Sequence, residues 1–188
     1  TFAFYIAYFV MAIPSSWVIE KVGYKNGLSL GLVVIAVGAF MFYPAASVRT
    51  YSWFLAALFI MGTGLALLQT ASNPYVVVIG PRESAAARIS VLGIANKLAG
   101  FIAPLALTAL VLSNMSDYTA DKIEAMDAVT KTEALNALAL QLQTPYVYMG
   151  LIVLVLAVFL KFSPLPEINL DEDGHVENSS FFKQIKEV

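Results

Sequence analysis

Apolar residues fall in long blocks along this chain, and short polar or charged segments separate them. The runs are Thr1–Ile19, Leu28–Ala46, Trp53–Ile79, Ile89–Leu112 and Pro145–Phe162. About 20 helical residues cross a hydrocarbon core of ~30 Å, so four runs read as full membrane spans and one as a partial span. The pattern predicts an all-α membrane protein with five transmembrane helices over about 1–19, 28–46, 53–79, 88–112 and 144–163. Residues 1–164 then form one membrane domain, and 165–188 form a polar linker containing the flexible stretch Leu170–Ser180. The first run lacks a charged leading segment and a small-residue cleavage site, so it reads as an interior helix and not as a signal peptide. Ser113–Gln143 is the one long loop. Within it, Thr130-Lys-Thr-Glu133 matches a capping box ahead of Leu135, Leu138, Leu140 and Leu142, which predicts a short surface helix.

Composition agrees with this class. Hydrophobic residues make up 59% and charged residues 13%, with a mean hydropathy of +0.76, outside the balance of soluble globular domains. There is no cysteine, hence no disulfide, thiolate metal site or cysteine nucleophile. The single histidine, His175, lies in the acidic tail. The spans contain no His, Asp or Glu, so the catalytic dyad of an intramembrane enzyme is not present in them, and no metal, cofactor or nucleic-acid partner is expected. The positive charges are unevenly placed. If the helices alternate, Lys21, Lys25, Arg82, Arg88, Lys161, Lys183 and Lys186 share one side, while Arg49, Lys122 and Lys131 share the other. The richer side is expected to be cytoplasmic.

Polar residues within the apolar runs carry the candidate chemistry. Gln69 and Asn73 are spaced i, i+4 on one helix face, with Gly62 and Ala66 on the same face and Pro74 introducing a kink. An unpaired amide in hydrocarbon costs several kcal/mol, so this face must meet protein or a water-filled cavity. Amides can bond vicinal hydroxyls, but they can equally serve as glue between helices. Asn73 has a further alternative, bonding carbonyls that Pro74 frees. Lys97 is the only charge deep inside a run, about ten residues from its start, and needs a partner unless it snorkels to the surface. Gly93, Asn96 and Gly100 share its face and form either a polar-lined wall or a close-packing seam. Tyr5 and Tyr8, one turn apart, could stack on the C–H face of a sugar ring or simply pack.

Ser16-Trp-Val-Ile-Glu20-Lys21-Val-Gly23-Tyr-Lys25 resembles the loop motif between the second and third helices of the major facilitator superfamily. Gly23 would permit the tight turn, and Glu20 would latch a cytoplasmic gate against a basic group, with Arg88 as one partner. Ala3–Phe9 with Ile13-Pro14, the signature Gln69-Thr-Ala-Ser-Asn-Pro-Tyr75, and Gln143-Thr-Pro-Tyr146 resemble the bacterial fucose permease family within it. That family includes L-fucose–proton symporters and glucose/galactose symporters. The resemblance spans nearly the whole chain and implies helices two to six of a six-helix N-terminal domain, followed by the central linker. It also implies a multi-pass protein of the bacterial inner membrane that carries a monosaccharide by alternating access, coupled to protons or sodium. Its partners would be the sugar, the bilayer, a first helix and a C-terminal half. Gln69, Asn73 and Asn96 would bind substrate, and Lys97 would pair with an acidic residue of that first helix. Gln69 replaces a carboxylate of the fucose permease, and Gly93, Asn96 and Lys97 stand where that protein is rich in Gln. The first departure speaks against proton coupling at this position, because an amide cannot titrate, and the second points away from fucose to a hexose such as glucose or galactose. L-Fucose–proton symport and a non-transporting sugar sensor on the same fold are the alternatives.

Overall fold

A computed structural model describes residues 2–48, 50–111 and 126–168. The described residues are helical apart from short connections: α1 (Phe2–Val22), α2 (Tyr24–Val48), α3 (Tyr51–Val78), a 3₁₀ turn (Arg82–Ser84), α4 (Ala85–Val111) and α5 (Ala128–Phe162). Five of these helices are long and apolar enough to cross a membrane, as the hydropathy pattern predicts. The predicted loop at 113–143 lies partly outside the described residues, as do Arg49, Lys122, His175, Lys183, Lys186 and the linker beyond Ile168.

Two boundaries differ from expectation for identifiable reasons. The predicted surface helix and the last span are one continuous helix of 35 residues, with Pro145 inside it. Proline removes only one ladder bond, which membrane helices tolerate. At 1.5 Å per residue the helix is roughly 50 Å long, so its first turns project beyond a ~30 Å core. Its N-cap is Asp127, three residues before the expected capping box. A hydrogen bond from Thr130, first among its causes, holds the Asp127 carboxyl below the usual carboxylate range.

The other difference is the polar segment after Ile19, which is a hairpin rather than a loop. Only Gly23 separates α1 from α2, at φ +83°. Its N–H donates to Ile19 O at 2.8 Å, and its own carbonyl accepts from Gly27 N at 2.9 Å. One residue in the left-handed region thus closes one helix and opens the next, a conformation glycine adopts without a Cβ clash.

α2 and α3 form the centre of the bundle. α5 packs on α2, α1 packs on α3, and α4 touches α3 and α5 only lightly. The α2–α3 contact is a seam of small residues. A Cβ on Gly31 would lie 2.9 Å from Leu68 N, and one on Gly38 would lie 2.8 Å from Met61 N. Such backbone-to-backbone approach suits helices in lipid, where no hydrophobic force drives them together and dispersion must hold them. At one end of the bundle, Ile19, Leu28, Leu67, Ala71 and Tyr75 form a buried cluster that Leu165 and Ile168 cover. At the other end, the Phe42 and Tyr146 rings stack at 4.0 Å, and the Gln143 amide donates to Tyr43 O at 3.1 Å.

Candidate functional site

The α1–α3 contact brings together two of the sequence-selected residues. Gly62 lets the α1 backbone approach closely, since a Cβ there would meet Phe4 O and Ala7 Cβ. Two turns further along the same α3 face, the Tyr8 hydroxyl donates to Gln69 Oε1 at 2.7 Å. Both side chains are half-buried. Part of Gln69 therefore acts as interhelical glue, while its Nε2 meets no acceptor among the described residues. Asn73 is exposed one turn on and bonds none of the carbonyls near Pro74; among the described residues its amide has no partner. Tyr5 is exposed, with its ring edge-on to Phe4 at 5.6 Å.

Asn96 and Lys97 are not joined to this pair by any bond. Both are exposed on α4, and neither is hydrogen-bonded or ion-paired with a described residue. Lys97 lines an open hollow with Ser90, Gly93, Ile94 and Leu98. A Cβ on Gly93 or Gly100 would meet nothing within 4 Å, so this face of α4 is not a packing seam within the described residues.

The loop-motif residues gather at the end of the bundle that also carries Arg82, Arg88 and Lys161. Ser16 is half-buried, and Glu20 and Lys21 are exposed. Arg88 is not the partner of Glu20. Its Nε donates to Val76 O at 2.8 Å, one terminal nitrogen to Val77 O at 2.7 Å, and the other to Pro81 O at 3.0 Å. The guanidinium caps the C-terminal carbonyls of α3, where a cation also complements the helix dipole. The contact that hydropathy missed is Glu167. Its carboxylate covers Gly23 and accepts from Lys25 N at 3.3 Å, at the α2 N-terminus. Beside it, Lys25 Nζ donates to Ser163 O at 2.7 Å and the Tyr75 hydroxyl to Pro166 O at 3.0 Å. Ser163–Ile168 is thus strapped across α1, α2 and α3 although its composition reads as linker. The only sequence clue was the run Leu165-Pro-Glu-Ile168, which places two apolar residues around the acid.

Five membrane-length helices, glycine seams between their backbones and a glutamine amide at the α1–α3 contact define a multi-pass membrane protein with a transporter-like bundle. The family model described as Major Facilitator Superfamily matches residues 1–187, and the chain belongs to that superfamily. It is 35% identical over 179 residues to the L-fucose-proton symporter of Escherichia coli (strain K12), covering 95% of this chain and 41% of that protein. It is also 35% identical over 171 residues to the glucose/galactose transporter of Brucella abortus biovar 1 (strain 9-941), covering 91% of this chain and 38% of that protein. The fold is similar to the crystal structure of the superfamily transporter FucP in the outward conformation, with a TM-score of 0.79 and 36% identity over 88% of this chain and 40% of that one. The chain therefore spans about two fifths of the length of the relatives it matches.

Proposed function

We propose that this chain is helices two to six of a monosaccharide–proton symporter of the bacterial cytoplasmic membrane. The protein would work by rocking two halves about a site near the bilayer midplane. The observation that carries the reading is Gln69. It lies within the most family-specific segment of the sequence, in the middle of α3, with half its amide tied to α1 and the other half unpartnered. An amide so placed can bind a sugar hydroxyl, and it cannot be the proton carrier. A hexose such as glucose or galactose is the expected substrate, because relatives bear that name. The coupling ion is the proton, by similarity to relatives named proton symporters. Asn73 and Asn96 are proposed to complete the polar wall. Lys97, the one charge far from the helix ends, is proposed to pair with an acid on a helix outside this chain. Positive-inside asymmetry puts the Gly23–Arg88 end in the cytoplasm.

The test is uptake of labelled galactose, glucose and fucose by the full-length protein in proteoliposomes, with and without an inward proton gradient. Gln69→Ala should weaken the preferred sugar about tenfold, the loss expected when a buried hydrogen bond goes unmade. Uptake that ignores the proton gradient, or an affinity unchanged in a well-folded Gln69→Ala variant, would overturn the corresponding part of the reading.

A further inference from the structure

We infer that Tyr8 is a positioning residue that fixes the Gln69 amide with its NH₂ toward the ligand, so that this position reads an acceptor on the sugar and not a donor. The inference rests on the proposed role of Gln69 and specifies what that role recognises.

The Tyr8 oxygen and Gln69 Oε1 are 2.7 Å apart. The phenol donates and the carbonyl accepts, at the usual length of an O–H···O bond. Glutamine carries one acceptor atom and two donors on the opposite arm of the amide. With Oε1 held by Tyr8, Nε2 is the arm left over, and it has no partner among the described residues. The backbone beneath the pair is tightly set, because Gly62 brings α1 and α3 into contact two turns away. Turning the amide over would exchange this bond for a weaker one from Nε2 to the phenol oxygen, whose lone pair is drawn into the ring, so the observed orientation is the favoured one. The orientation is thus set in favour of the free NH₂ by α1 before the ligand arrives. A carboxylate at this position would present only acceptors and would read a hydroxyl hydrogen. This chain turns its NH₂ donors to the ligand and reads a hydroxyl oxygen.

The two arrangements differ in a measurable way. Replacing a hydroxyl by fluorine keeps an acceptor and removes the donor, whereas replacing it by hydrogen removes both. The experiment measures competition by single-position deoxy and fluorodeoxy glucoses and galactoses against labelled hexose uptake by the full-length protein in proteoliposomes. At one carbon, the deoxy sugar should bind roughly three- to tenfold more weakly than the fluorodeoxy sugar, the fold-change of one neutral hydrogen bond. In Tyr8→Phe, which loses only the hydroxyl, the amide can turn and that ratio should fall toward one. Gln69→Glu should reverse the order, because its carboxylate repels fluorine.

If Gln69→Ala leaves every affinity unchanged, Gln69 is not in the site, and the underlying reading fails together with this inference. If Gln69→Ala weakens binding but Tyr8→Phe keeps the ratio, the site stands and the positioning role of Tyr8 is overturned. Should Tyr8→Phe fail to reach the membrane, the unmodified protein still decides: equal binding of the deoxy and fluorodeoxy sugars at every carbon refutes donor readout.

Discussion

Gly64→Ala adds a single methyl group where α2 and α3 touch. The new Cβ would lie 2.7 Å from Ile35 N, 2.8 Å from Gly31 O and 2.8 Å from Ile35 Cγ1. Two of these are backbone atoms that cannot rotate away, so relief requires the helices to separate by roughly 0.7 Å to regain normal van der Waals distance. The shift would run along a seam that also contains Gly31 and Gly38, so several close contacts weaken together. Overpacking of this kind costs about 1–3 kcal/mol, while replacing a mid-helix glycine by alanine returns at most about 1 kcal/mol of helix propensity. The expected net effect is a loss of up to about 2–3 kcal/mol, and Gly64→Val should be worse because it adds volume without alanine's helix propensity. The assay is thermal unfolding of the purified full-length protein in detergent, followed by intrinsic fluorescence. A melting temperature that is unchanged or raised in Gly64→Ala, with Gly64→Val also tolerated, would refute the close approach of α2 and α3.

Gly23→Ala should destabilise by about 1–2 kcal/mol through its left-handed φ, whereas Glu167→Ala should remove only the ~0.3–1 kcal/mol of an exposed carboxylate at a helix N-terminus. The reverse order of melting temperatures would refute the strap geometry at this turn. Arg88→Leu should speed hydrogen exchange at the end of α3 and in the Arg82–Ser84 turn, and Arg88→Lys should restore it only in part, because an ammonium cannot serve both Val76 and Val77 carbonyls with a planar fork. Unaltered exchange in the Leu variant would count against the cap. The carboxyl of Asp127 is depressed in the folded protein, so its contribution to the first turn of α5 is present above its unfolded pKa and lost as pH falls through the folded one. Protection from exchange at Val129–Lys131, taken relative to the intrinsic rate at each pH, should therefore fall in acid, and Asp127→Asn should flatten that dependence. Lys97→Gln in the full-length protein should change the pH profile of uptake more than the expression level, and an unaltered profile would remove Lys97 from coupling.

Much of the architecture is written in the sequence because lipid forces a simple code. Each span must be long, apolar and helical, so Phe2–Val22 through the final helix could be located by hydropathy alone. The segment Gln69–Tyr75 could be singled out because amides beside a proline are conspicuous within an apolar run. What Gln69 does with its two arms could not be read there, because the Tyr8 hydroxyl reaches it across 61 positions of chain. The same holds for Glu167, whose carboxylate meets the α2 N-terminus 142 positions away. Local composition made that segment look like linker, and only the close packing of Leu165 and Ile168 on the end of the bundle drew it in. Arg88 looked like an ion-pair partner by charge, yet its fork went to the backbone carbonyls nearest in space. Hydropathy and helical period act within one segment, and they determine which residues form helices and which sit inside the bilayer. Which arm of an amide is free, and which carbonyl a guanidinium satisfies, depend on atoms brought within 3 Å by contacts between segments, and those the tertiary structure alone decides.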